Sequence, residues 1–228
     1  MREICLDTET TGLDPREGHK VIEIACVELV GKVKTGNIFH TYVNPRREVP
    51  HEAFRIHGIS TEFLQDKPIF NHVAKEFLEF IQGATLVIHN AEFDLKFLNF
   101  ELASCGLPLI QRPGVVDSLA VARAKFPGSP NSLDALCKRF GVDLSKRKKH
   151  GALLDSELLA DVYIELMGGA QAGLGFESSK AAEEKKSEIV VDVVRKAIPS
   201  REFLVSKEDL AAHQKFISDN FKTNLWGY

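Results

Sequence analysis

The sequence predicts an α/β fold: a mixed sheet, built from an antiparallel three-strand meander plus parallel strands, flanked by helices and followed by a flexible C-terminal tail. Three observations predict it. Strand-like stretches joined by short turns fill the first 43 residues. Short apolar runs then alternate with helix-period stripes up to residue 167. At Gly168 the texture changes to Gly-rich and then Ser/Ala/Lys/Glu-rich sequence.

The first strand is the apolar run Ile4-Cys5-Leu6, from which Asp7 and Glu9 emerge at i and i+2 and so face the same side. Two adjacent carboxylates are costly to bury unless a positive charge sits between them, and hard oxygen ligands suit Mg2+ or Mn2+. A solvated strand end is the ordinary meaning of a lone Asp-x-Glu. Thr10-Thr11-Gly12 then turns the chain, with Gly12 free to bring backbone close to a ligand. Val21–Val30 reads as a long strand, and Gly31-Lys32 closes a hairpin into a third strand over 37–43. Residues 45–68, punctuated by Pro45, Pro50, Gly58 and Pro68, read as an irregular loop. It carries Glu52 and His57, and a surface loop and a substrate contact are equally open readings.

Helical spacing returns at 70–82 through Phe70, Val73, Phe77, Leu78 and Ile81. Leu86-Val87-Ile88 is a short buried strand ending in His89-Asn90, and the following helix carries Asp94 in its first turn. Val115-Val116 leads through Asp117-Ser118 into a helix to Lys125, Ser132 opens another, and a last helix spans about 151–167 with Asp155 one turn in. Four cysteines lack C-x-x-C spacing, which argues against a zinc site or a disulfide framework. A net charge of −3, from 29 basic and 32 acidic residues, gives no basic footprint for nucleic acid; a metal-loaded acidic site supplies positive charge locally. No apolar run reaches membrane-spanning length and no signal segment is visible, so the chain is expected to be cytoplasmic, with no membrane partner.

Asp7, Glu9, Asp94 and Asp155 thus lie on three separate elements, and spacing alone leaves open whether they meet. If they do, four carboxylates match two divalent cations about 4 Å apart, which clamp a scissile phosphate. His150, five positions before Asp155, enters that helix from a loop and can approach the metals without being a ligand; histidine is the side chain suited to taking a proton near neutral pH. The pattern predicts metal-dependent phosphodiester hydrolysis. The basic run 146–149 ahead of His150 fits either a solvated loop or a phosphate contact. His89 reads as a strand-end hydrogen bonder, Asp117 as a helix cap, and Asp66, Asp134, Asp143 and Asp161 as surface or capping residues.

The segments Asp7-Thr8-Glu9-Thr10-Thr11-Gly12, His89-Asn90-Ala91-Glu92-Phe93-Asp94 and His150-x4-Asp155 resemble the three motifs of the DEDD exonuclease family, His-bearing subtype, and more narrowly its proofreading branch. The resemblance covers 1–167 strongly and the tail loosely. It implies a ribonuclease H-like fold and 3′–5′ removal of nucleotides from a single-stranded or frayed DNA 3′ end. It further implies Asp7, Glu9, Asp94 and Asp155 as ligands of two Mg2+ or Mn2+ ions, His150 as general base, and Thr8, Glu52 and His57 as substrate contacts. Thr10 and Leu13 would line the same 3′-end pocket. The implied organisation is a catalytic domain at 1–167, a flexible linker at 168–188 and a tail at 189–228 that binds the catalytic subunit of a replicative polymerase. Within the linker, Gln171, Leu174 and Phe176 resemble a sliding-clamp-binding peptide, with plain linker as the other reading. A small accessory subunit on the catalytic domain is also implied. A stand-alone ribonuclease or oligonucleotide trimmer, and a non-catalytic scaffold between clamp and polymerase, are the competing readings. The docking tail argues against the first and the intact catalytic set against the second.

Overall fold

A computed structural model describes residues 1–145, 147, 149–169 and 206–220. The sequence readings of Gln171, Leu174 and Phe176 lie outside the described residues. The chain divides into two units, Met1–Phe176 and Glu177–Tyr228.

The first unit is built on a five-stranded sheet of order β3-β2-β1-β4-β5, where β1 is Arg2–Thr10, β2 Val21–Val30, β3 Val33–Tyr42, β4 Thr85–Ile88 and β5 Val115–Asp117. β1, β2 and β3 pair antiparallel, as the short turns between them require, whereas β4 and β5 add in parallel through helical crossovers. Alternate residues of β1 feed two separate cores. Ile4 and Leu6 pack with Phe77 and Ile81 of α3 (Phe70–Ile81) and Phe97, Leu98 and Leu102 of α4 (Ala91–Ser104). Cys5 points to the opposite face, against Leu136 of α6 (Leu133–Phe140) and Leu158, Leu159, Val162 and Leu166 of α7 (Ala152–Leu166). Each core buries a helix stripe on one sheet face, so the fold is a sheet between two helical layers, the mixed architecture expected from the sequence.

The crossover strands position the site. β4 stops at Ile88, paired with Leu6, while β1 runs on to Thr10 with only β2 beside it. Asp7 and Glu9 therefore lie beyond the end of β4, where the carboxyl ends of β1, β4 and β5 share one edge. Ligands of parallel sheets bind at such edges.

Residues 45–68 are not the irregular loop that their prolines suggested. They hold two short helices, α1 (His51–His57) and α2 (Thr61–Leu64). The helix breakers fall at the boundaries rather than inside: Pro50 precedes α1, and Gly58, at φ 76°, closes it. Ile22, Ile59 and Leu64 tie this segment to the sheet. Asp117 caps α5 (Ser118–Lys125) by accepting from the N–H groups of Leu119 and Ala120, as expected from its place before Ser118. In the second unit α8 spans Lys207–Asn220, opened by Ser206, whose hydroxyl accepts from the Asp209 N–H at 3.1 Å. Among the described residues no helix is long and apolar enough to cross a membrane.

Candidate active site

At the shared carboxyl edge lies a cleft of about 800 Å3 whose lining includes Asp7, Thr8, Glu9, Asp94, Asp155 and His150. The carboxylates reach it from three directions. Asp7 and Glu9 stand on the overhanging end of β1, on the face towards α7. Asp94 arrives from α4 on the other face, through the gap left where β4 ends. Asp155 comes from the first turn of α7.

Asp94 is fixed by Thr8, whose backbone N–H and hydroxyl both donate to its Oδ1, at 3.1 and 2.7 Å. The structure thus gives the buried Thr8 hydroxyl a positioning job between the motifs of β1 and α4. Replacing Thr8 with Val keeps the shape and removes one of these bonds. It is expected to lower divalent-metal affinity by roughly 10–100-fold, the usual effect of losing a partner that orients a ligand. Titration of Mn2+ into the variant checks this, and a change below about twofold would mean that the backbone N–H suffices.

The entry of α7 is held from below. Gly151 at its N-cap has no side chain to offer, and buried Glu23 of β2 takes over: its Oε2 accepts from the Ala152 N–H at 3.1 Å, and its Oε1 lies 2.7 Å from His40 Nε2. Ser156 donates to the Ala25 carbonyl at 3.1 Å and pins the same turn. Sequence reading missed Glu23, although an acidic residue inside the apolar run 21–30 is the signal that marks it.

Four acids packed together strain their own ionisation. Asp7 is pushed well above the usual carboxylate range, by burial first and then by Asp94, Glu9 and Asp155. Asp94 is raised by burial, against the opposing hydrogen bonds from Thr8. Glu9 is pushed up to about 8, by burial and then by Glu23, Asp155 and Asp94. Asp155 differs: burial raises it, but the hydrogen bonds from Arg147 and His150 prevail and hold it low. A folded value for Glu9 above its ordinary 4.5 means that the folded state keeps a proton the unfolded chain has lost. The stability due to that group is fully present below about pH 4.5 and is lost as pH rises to about 8. In chelator the melting temperature is therefore expected to fall across pH 5–8, and a divalent cation is expected to flatten the fall. A flat profile in chelator would contradict this account.

The set suits a hard divalent cation. Ligand atoms of Glu9, His150 and Asp155 lie within 4.8 Å of one another, with Asp7 and Asp94 lining the same cleft. His150 is half exposed, and its backbone N–H reaches the Ile56 carbonyl of α1 at 3.2 Å. That bond joins the histidine segment to the helix carrying Glu52 and His57. The φ of 76° at Gly58 favours glycine there, and the Lys149 side chain lies over it. Glu52 is exposed in the first turn of α1. His57 is buried; its Nδ1 accepts from the Ile59 N–H at 3.0 Å, and its Nε2 has no partner among the described residues. Burial, with Lys149 and His150 nearby, lowers His57 to about 4, so its ring is neutral and the proton sits on Nε2.

Some sequence readings change here. Gly12 has a packing role: its missing Cβ makes room for the His19 ring, which a side chain would meet at 2.3 Å. Arg147 is not a solvated member of its basic run. Its side chain is only 9 % exposed and turns inward onto Asp155, and it also holds Asp134, a surface acid as expected. His89 hydrogen-bonds Ser118 at 3.0 Å, as a strand-end partner would.

The comparisons with known proteins agree with this geometry. A family profile described as Exonuclease matches residues 4–163. The chain belongs to the exonuclease family. It is 49 % identical over 228 residues to a DNA polymerase III subunit epsilon of Rickettsia conorii, covering 98 % of each chain. The subunit of the same name from Escherichia coli is 47 % identical, over 93 % of this chain and 90 % of that one. Among solved exonuclease structures, Exonuclease X in complex with 5′ overhanging duplex DNA is 29 % identical with a TM-score of 0.56, covering 73 % of this chain and 90 % of that chain. The nuclease domain of 3′hExo, described as a DEDDh family member bound to rAMP, shares the fold at 20 % identity and a TM-score of 0.63, over 73 % of this chain and 91 % of that one.

Proposed function

We propose that this exonuclease is the proofreading subunit of a replicative DNA polymerase, hydrolysing the 3′-terminal phosphodiester of a frayed primer. One observation carries the reading: a chain similar end to end to DNA polymerase III epsilon subunits brings Asp7, Glu9, Asp94, Asp155 and His150 into one cleft.

Asp7, Glu9, Asp94 and Asp155 would hold the metal. When bound, two Mg2+ or Mn2+ ions offset the four negative charges and supply Lewis acidity towards the phosphodiester. Thr8 keeps Asp94 turned into the cleft. His150, on the flank of the cleft, serves as the base that takes the proton of the attacking water. His57 would offer its Nε2 proton, which has no partner among the described residues, to the terminal nucleotide. Glu52, in the first turn of the same helix, completes the end-recognition pair. Leu13, 79 % exposed just past β1, presents an apolar face for base stacking. The tail, of which α8 is described, docks the polymerase subunit, and the peptide around Gln171 docks the clamp.

The test uses the purified chain with a 3′-mismatched primer–template and the matching RNA strand, with and without Mg2+. Metal-dependent release of 3′ nucleotides, faster from DNA than from RNA, is the expected result. RNA-preferred trimming would make the protein a stand-alone ribonuclease, and no cleavage with either Mg2+ or Mn2+ would leave a scaffold.

A further inference from the structure

Arg147 takes both carboxylate oxygens of Asp155. Nε donates to Oδ1 at 2.6 Å and Nη2 to Oδ2 at 2.7 Å. Its remaining nitrogen, Nη1, donates to Asp134 Oδ1 at 2.6 Å, and Nη2 also reaches His150 Nδ1 at 2.9 Å. The same Nδ1 lies 3.3 Å from Asp155 Oδ2, so the ring packs against the clamped pair. Asp155 thus has both oxygens committed to a cation that is not a metal.

We propose that Arg147 is the resident counter-ion of this site, a positioning residue that occupies Asp155 until divalent metal displaces it. The inference rests on the metal-dependent reading above. Three features support it. First, the clamp is charge-assisted and bidentate, which gives it the strength to substitute for a metal in a crowd of acids. Second, the pair is nearly buried, at 9 % and 5 % side-chain exposure, so Asp155 could not simply be left bare. Third, the guanidinium has somewhere to go. Asp134, on the first turn of α6 and 51 % exposed, already holds Nη1 at the rim of the cleft and retains it when Asp155 is given up. Metal entry then frees the Asp155 carboxylate.

The test is Mn2+ affinity of the full chain, read by electron paramagnetic resonance, for the wild type, R147Q and R147K. A resident counter-ion competes with metal, so R147Q is expected to bind Mn2+ about tenfold more tightly, the size of one lost charge-assisted hydrogen-bond pair. R147K, which keeps charge without the fork, is expected to fall between. A purely structural clamp predicts the opposite sign, because losing it would loosen Asp155 and weaken binding. Unchanged or weaker binding by R147Q overturns the proposal. If R147Q does not fold, R147K decides by the same sign. Failure of the wild type to bind Mn2+ overturns the metal reading itself and this inference with it, whereas normal wild-type binding with an unchanged variant removes only Arg147's role.

Discussion

Replacing Asp7 with Asn is expected to reduce 3′ cleavage by about 10³-fold or more, beyond the roughly 10–100-fold that losing a mere supporting partner costs, while leaving the fold intact and raising its metal-free stability. The two effects have one cause. Asp7 sits where β1 overhangs β4, with Asp94, Glu9 and Asp155 around it, and these neighbours together with burial oppose its ionisation. Asn keeps the volume and removes the charge, so the metal-free cluster repels itself less. It also removes an anionic oxygen from the carboxylate set proposed to hold divalent metal. The measurement is paired: initial rates of nucleotide release with Mg2+, and melting temperature in chelator. Retained activity would sink the site assignment. Lost activity with a lower melting temperature would show that Asp7 supports the fold, contrary to the crowding argument.

Replacing His150 with Ala is expected to slow cleavage by about 10²–10⁴-fold, the usual contribution of a positioned base. The fold should not notice, because the ring is half exposed and the segment is held by the backbone bond from His150 N–H to Ile56. Mn2+ binding to the variant should survive, since the four carboxylates remain. A loss of less than tenfold would remove His150 as the base and leave water deprotonation to another group.

Much of this was legible in the sequence because it is local. Periodicity located β2, α3, α4 and α7, since apolar faces must repeat at 2 or 3.6 residues to be buried. Asp117 and Ser132 announced helix starts because a cap acts over three residues. The chemistry was legible too: the i and i+2 carboxylates on β1 place two charges on one face whatever the rest does. Where local signals compete, they misled. Pro50 and Gly58, at the two ends of α1, looked like loop residues, because a breaker at a boundary and one inside a loop read alike.

Convergence was decided only by the tertiary structure. Asp94 and Asp155 belong to helices on opposite faces of the sheet, and they meet because β4 is short and β1 overhangs it. No spacing along the chain carries that fact. The partners of Thr8, Glu23 and Arg147 are likewise 86, 129 and 8 residues away, set by which surfaces pack rather than by any local pattern. A basic run goes to water by default, because a charge is cheapest there. Arg147 turns inward only because the folded chain has gathered more negative charge at one edge than it can leave unpaired. The sequence by itself determined which elements form and which reacting groups exist; the packing of two helical layers about one strand end determined which of them share a site.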